Sequence, residues 1–327
     1  MYSAYITEVD NDLKEKSLKS LEFINWKKQV KTDSTIFIKP NFTVPYYKEG
    51  ITTTPELLKS LLEITKDRAD NVIVGESDGG NHSFSADAAF KGHGMYETCR
   101  DTGVELVNLS KLPSTFVETK IQGKKIKVPL PKLLLEVVDC FISVPVLKVH
   151  AIMTVTLSIK NLWGCFPDTM RHLHHQNLDY KLALIMKSVN PKIVVIDGIY
   201  GLDGHGPMSG HPVKMNLIVT SDNPVVADTF GASIMGFSPK KIKHIRIAEK
   251  EGLGTTNLED VRINKDWRQY KRQFHITKTF MDRISILPFK SDFVAKMVFD
   301  SSLTPLIYKM ANVLKKHKEE SNENSID

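Results

Sequence analysis

Cysteine is scarce in this chain. There are three in 327 residues, Cys99, Cys140 and Cys165, and no CxxC pair. That argues against a disulfide framework and against an iron–sulfur cluster held wholly by this chain, and it fits a reducing compartment. Long apolar runs are missing as well: no stretch approaches the ~20 residues of a membrane-spanning helix. The opening residues, MYSAYITEVDNDLKEK, carry acids where a secretory signal needs an apolar core. A cytoplasmic protein is expected, with peripheral membrane contact through a C-terminal helix as the further option. There is no RNP-type aromatic motif, zinc-finger spacing or dense basic stripe, so no nucleic-acid partner is expected. The net charge of +6 does not alter this, because much of the surplus falls between Arg262 and Lys318.

What is present is an alternation of short β-branched runs with helical patterns. Strands are expected at Thr35–Ile38, Val72–Gly75, Val104–Leu109, Cys140–Leu147, Ile193–Ile196 and Val213–Thr220, with a hairpin arm over Ile121–Val128 turning at Gly123. Thr54-Pro55-Glu56 opens a helix with Leu57, Leu58, Leu61 and Leu62 on its apolar face. Another helix spans Leu178–Val189, and Asp222 reads as the cap of one starting at Pro224. The order predicts an α/β fold, a doubly wound, mostly parallel sheet with flanking helices. Residues 1–260 would form this Rossmann-like core, with a split into two lobes near 150–190 as an option. Residues 261–318 would form a basic helical extension, and 319–327 a disordered tail.

In such a sheet, ligands sit at the carboxyl ends of the strands. Here those ends are polar. One carries Lys39 and Asn41, another Glu76 and Asp78, and another Asp197. The apolar run Cys140–Leu147 leads directly into Lys148 and His150, then Lys160 and Asn161. Lysine is rarely buried without a partner, so this stretch points to an anion or cofactor site. Each residue also has a plainer role: Asp78 and Asp197 as turn caps, Lys39 as the ion-pair partner of Glu76. Thr53 and Thr54 precede a helix N-terminus, which suits an anion or simple capping. His172, His174 and His175 suit a metal, the alternative being a solvated loop. Residues 154–162 fit both strand alternation and helical spacing.

These residues carry a resemblance. Lys39-Pro40-Asn41, Thr52 to Pro55, Val74 to Asp78, Val144 to His150, Thr156 to Gly164, and Asp197-Gly198 with Gly204 to Pro207 resemble the domain-of-unknown-function family three-six-two. Many of its members carry a ferredoxin-like cysteine module after this domain, whereas the tail here has no cysteine. In layout the central stretch is also similar to the nickel-pincer lactate racemases. That resemblance implies a catalytic histidine at His150, a cofactor-tethering lysine at Lys160, and a metal-binding histidine at His174 or His175.

The leading expectation is an enzyme, isomerase- or racemase-like or oxidoreductase-like, acting on a small anionic hydroxy-acid or sugar-acid substrate. Its cofactor would be a divalent, nickel-like metal or a lysine-tethered group. His150, Lys160, Asp78 and Asp197 are the catalytic candidates. Lys39, Asn41, Thr53, Thr54, Lys148 and Asn161 are the substrate-binding candidates, and His174 and His175 the metal ligands. The alternatives are an iron–sulfur-linked redox protein, with a cluster shared between subunits, and a non-catalytic assembly protein attached through its basic tail.

Overall fold

In the computed structural model, residues 1–9, 12–278, 292–299 and 301 are described. They fall into two units. The first comprises Met1–Thr169 and Asp179–Lys278; the second comprises Met170–Leu178 and the described part of residues 279–327. The expected tail, 319–327, and most of the expected extension lie outside the described residues.

The first unit is built on a ten-stranded sheet. Chain order runs β1 (Tyr2–Glu8), α1 (Leu13–Phe23), β2 (Thr35–Lys39), α2 (Pro55–Lys66), β3 (Asn71–Glu76), α3 (Ala86–Gly92), α4 (Met95–Thr102) and β4 (Glu105–Asn108). A separate hairpin follows, β5 (Ser114–Ile121) with β6 (Lys124–Pro131), then α5 (Lys132–Glu136), β7 (Cys140–Ser143), β8 (Val146–His150), β9 (Thr154–Thr156) and α6 (Ser158–Asn161). The remainder is α7 (Leu178–Val189), β10 (Ile193–Asp203), β11 (His211–Ser221), α8 (Pro224–Ile234), α9 (Lys243–Lys250) and β12 (Val261–Ile263). The strand order is β12-β1-β11-β10-β7-β2-β3-β4, with β8 paired to β10 and β9 to β8. Strands β10, β7, β2, β3 and β4 are mutually parallel; β11 is antiparallel to both its neighbours. The fold is therefore α/β with a mostly parallel sheet flanked by helices.

The central parallel strands β2 and β7 are short and largely apolar because both faces are covered. Ile36, Phe37 and Ile38 of β2 and Phe141 and Ile142 of β7 are buried, and the ring centroids of Phe37 and Phe141 lie 5.1 Å apart. Leu57, Leu58, Leu61 and Leu62 of α2 join Ile36, Ile38, Val72 and Val74 in one core. Each such leucine contributes roughly 1.5–3 kcal/mol on burial. Among the described residues no helix is long and apolar enough to cross a membrane.

Three details differ from the sequence reading. The run Cys140–Leu147 is two strands, because Val144-Pro145 interrupts it and proline has no N–H for the ladder. The cap of α8 is Asn223, whose side chain accepts from the N–H of Val225 and Val226, while Asp222 accepts from Ser3 N–H instead. Residues 261–278, read as the start of a helical extension, belong to the first unit. There β12 pairs with β1 and Phe274 is buried.

Candidate functional site

β2, β3 and β4 succeed one another toward one edge of the sheet; β7 and β10 succeed one another toward the other. The winding reverses between β2 and β7, and the crevice beyond their carboxyl ends is where an open α/β sheet takes its ligand. Asn161 fills its floor. Its amide Nδ2 donates to Lys39 O at 3.4 Å and to Ser143 Oγ at 3.3 Å, joining the two strand ends. Asn41 Nδ2 donates to Asn161 Oδ1 at 2.9 Å. Thr53 Oγ1 accepts from Asn41 N–H and donates to Val144 O, so it closes the same knot.

Two lysines lie in this floor, both fully buried. Lys39 Nζ meets Glu76 Oε2 at 2.7 Å in a buried ion pair and also donates to Pro40 O. Gly164 roofs the pair: a Cβ there would stand 2.5 Å from Glu76 Oε1 and 2.6 Å from Lys39 Nζ. Lys148 Nζ donates three hydrogen bonds, each 2.7 Å, to Asn41 Oδ1, Thr43 Oγ1 and Ile51 O. Three acceptors match the three N–H groups of an ammonium. All three are uncharged. Burial, first, and then the charges of Lys160 and Lys39 hold the Lys148 pKa well below the ordinary lysine range, against the opposing pull of Glu76.

The strands β8 and β9 form an antiparallel hairpin, with Lys148 opposite Thr156 and His150 opposite Thr154. Residues directly opposite, and those two apart, share a face. One face is therefore polar, while Val149 and Val155 on the other are buried. Thr156 is 5% exposed and its hydroxyl has no hydrogen-bond partner among the described residues. His150, half-buried, accepts at Nδ1 from the backbone N–H of Ile152 at 3.1 Å and of Met153 at 3.4 Å. The chain then passes directly into α6, which carries half-buried Lys160.

The carboxylates act alike, each capping a helix that belongs to another element. Asp197 Oδ2 accepts from Thr54 N–H at 2.7 Å, at the start of α2, and Oδ1 from Ile199 N–H. Asp78 Oδ1 accepts from Ala86 N–H at the start of α3 and from Asn108 Nδ2. Asp228, from α8, accepts from the N–H groups of Ser158 and Ile159 at the start of α6. Burial pushes Asp228 up to about 7, and burial also raises Asp197. The anion site expected at Thr53-Thr54 thus already faces a carboxylate of the protein, and the Thr54 side chain makes no cap bond to its own helix.

His174 and His175 lie in the second unit, in and directly after a 3-10 turn over Arg171–His174. Among the described residues no three His, Cys, Asp or Glu side chains converge as metal ligands. The metal expected there has no described set of ligands that fits it.

Two residues were not singled out from the sequence. Asp228 is the sole charge in the apolar helix PVVADTFGASI, which was the available signal. His244 of α9 is 1% exposed, and neither ring nitrogen is hydrogen-bonded among the described residues; burial, then the charge of Lys160, depresses it to about 3. It sits on the same face as Ile245 and Ala248 and so reads as core.

A family model described as "Domain of unknown function (DUF362)" matches residues 36–233. The thylakoid-associated protein sll1697 of Synechocystis sp. is 31% identical over 128 residues, which cover 37% of this chain and 40% of that protein. The chain thus spans about two fifths of the curated relative it matches. A crystal structure of a Thermotoga maritima protein is 12% identical over 58% of this chain and 51% of that one, with a TM-score of 0.35, too low to carry an argument.

Proposed function

The chain belongs to the DUF362 family, and from that premise we propose that it is an enzyme acting on a small anionic substrate, a hydroxy acid or sugar acid, bound where the sheet's winding reverses. The observation that carries the reading is a charge imbalance. The charges of Lys160 and Lys39 both lower the Lys148 pKa, and Glu76, the carboxylate that opposes them, is already paired with Lys39. Lys148 meets only neutral acceptors. Burial disfavours the charged form of Lys148, and a bound anion would supply the counter-charge that favours it. The anion would meet Lys160, the Thr156 hydroxyl and His150 along the polar face of β8 and β9.

The layout similar to the nickel-pincer racemases favours proton transfer beside the carboxylate, an isomerase-type reaction. No step is assigned to a metal or a tethered group, since the described residues do not supply the ligands. The redox alternative is less favoured: Cys99, Cys140 and Cys165 are all buried, so none lies at a surface where a cluster shared between subunits would form.

Calorimetric titration with inorganic phosphate, lactate and gluconate tests the reading. Saturable binding that is lost in Lys160→Gln is expected. No binding of any of the three, or undiminished binding in that variant, would reject it. Solvent-deuterium exchange at the carbon beside the lactate carboxylate, followed by NMR, then separates an isomerase from a binding protein.

Attachment to a membrane surface is a second reading, drawn from the relative's name. The outer face of the β5–β6 hairpin fits it: Phe116, 62% exposed, lies under Lys127 Nζ at 4.3 Å from its ring centroid, and Lys120 and Lys125 stand further along the same face, where Lys125 pairs with Glu118. Co-sedimentation with anionic but not neutral vesicles is the expected result.

A further inference from the structure

A separate cleft lies at the opposite rim of the sheet, where the parallel strands begin. We infer that it binds a linear aliphatic diamine, with the hydrocarbon chain on Leu133 and Val137 and one ammonium group on each of Asp70 and Glu105. The cleft has a volume of about 450 Å³, within the range of small-molecule sites. Both carboxylate residues line it, together with Val72 and Ile73 of β3 and Leu133 and Val137 of the α5 segment. Val137 is 49% exposed, so an alkyl chain laid across it would remove apolar surface from water.

The preference for a cation follows from the topology. α2 ends at Lys66, four residues before Asp70, and α4 ends at Thr102, three residues before Glu105. A helix C-terminus carries negative partial charge, and its last carbonyls lack partners inside the helix. Each of these two connections then adds a carboxylate at the same rim. Neither carboxylate has a hydrogen bond or an ion pair among the described residues. The Lys66 side chain is close by, since a Cβ on Gly103 would stand 3.6 Å from its Cε, but its Nζ donates to the backbone carbonyl of Asp70. The spacing then selects the ligand. Glu105 lies opposite Ile73, three residues beyond Asp70. The Cα atoms of Asp70 and Glu105 are thus roughly 11 Å apart, about 10 Å along the strands and about 4.8 Å across them. Among the described residues no three His, Cys, Asp or Glu side chains gather as metal ligands, which leaves a hard metal ion short of oxygens here. Two ammonium groups on a short chain match one carboxylate each.

The test is calorimetric titration of the full chain with putrescine, butylamine and magnesium chloride, with amide NMR spectra to locate the bound probe. Putrescine should bind saturably and shift the amide signals of Gly103, Glu105, Leu133 and Val137. Butylamine, with a single ammonium, should bind about fivefold more weakly, and Asp70→Asn or Glu105→Gln should each weaken putrescine binding by about threefold to fivefold. Asp70 and Glu105 are exposed, so the variants should keep the wild-type amide spectrum and each outcome is read on folded protein. The inference is overturned if putrescine shows no saturable binding, if its shifts fall on another surface, or if the double variant Asp70→Asn/Glu105→Gln binds it undiminished. Magnesium binding as tight as that of putrescine also overturns it, because the rim would then be only an acidic surface.

Discussion

The Asp197 carboxylate sits 2.7 Å from the backbone nitrogen of Thr54. These residues are 143 positions apart, and the contact fastens β10 to the start of α2 across the sheet's rim. The helix N-terminus is electropositive and its first N–H groups lack partners inside the helix, so a buried acceptor there stabilises both segments. Asp197→Ala should lower unfolding stability by about 1–3 kcal/mol, because Thr54 and Ile199 N–H both lose their acceptor. Asp197→Asn keeps an oxygen and should cost less. Urea denaturation of the three proteins checks the order; an alanine variant as stable as the wild type removes the capping account.

The Lys39–Glu76 pair yields a second prediction. Both side chains are out of water, so loss of one partner leaves an uncompensated charge. Lys39→Met or Glu76→Leu alone should each destabilise by roughly 3–5 kcal/mol, and the double variant Lys39→Met/Glu76→Leu by less than the sum. Equal and additive losses in a double-mutant cycle would mean that the two groups act separately.

The sheet was legible in the sequence because its central strands, buried on both faces, are near-continuous apolar runs, and because proline and threonine mark the start of α2. The break at Pro145 was written in the sequence too, yet the apolar residues on both sides outweighed it. The rim residues were legible only as polar groups in a suspicious place. Which of them would face a ligand was not, since that depends on distant partners: Thr54 for Asp197, Ala86 for Asp78, and Asn41, Thr43 and Ile51 for Lys148. The role of Asp228 was hidden for the same reason, its partner helix lying 70 positions earlier.

Asp228 supplies a pH prediction. Its carboxyl is raised from 3.8 to about 7. Between about pH 4 and pH 7 the unfolded chain has released this proton while the folded chain holds it. Folding then binds a proton, so this group's contribution to stability falls as pH rises across that window. The full span is on the order of 4 kcal/mol. Asp228→Asn has no such group to titrate, so its stability relative to the wild type should climb from about pH 4 to about pH 7. A constant difference between the two proteins across that range refutes the raised carboxyl.

Thr156 separates a structural from a ligand-facing polar face. Its hydroxyl is buried and without a partner among the described residues, directly across the hairpin from Lys148. An unsatisfied buried hydroxyl costs about 1–3 kcal/mol, so a protein selected for stability alone would do better with a methyl group there. Thr156→Val, nearly the same shape, should therefore leave the ligand-free protein as stable or more stable by about 1 kcal/mol. If a substrate oxygen completes the hydroxyl's bonding, the same change should weaken phosphate or lactate binding by about tenfold. Thermal unfolding and calorimetric titration of one variant give both numbers. A more stable protein with weaker binding places the hydroxyl in the site, whereas unchanged affinity assigns it to the packing of β9.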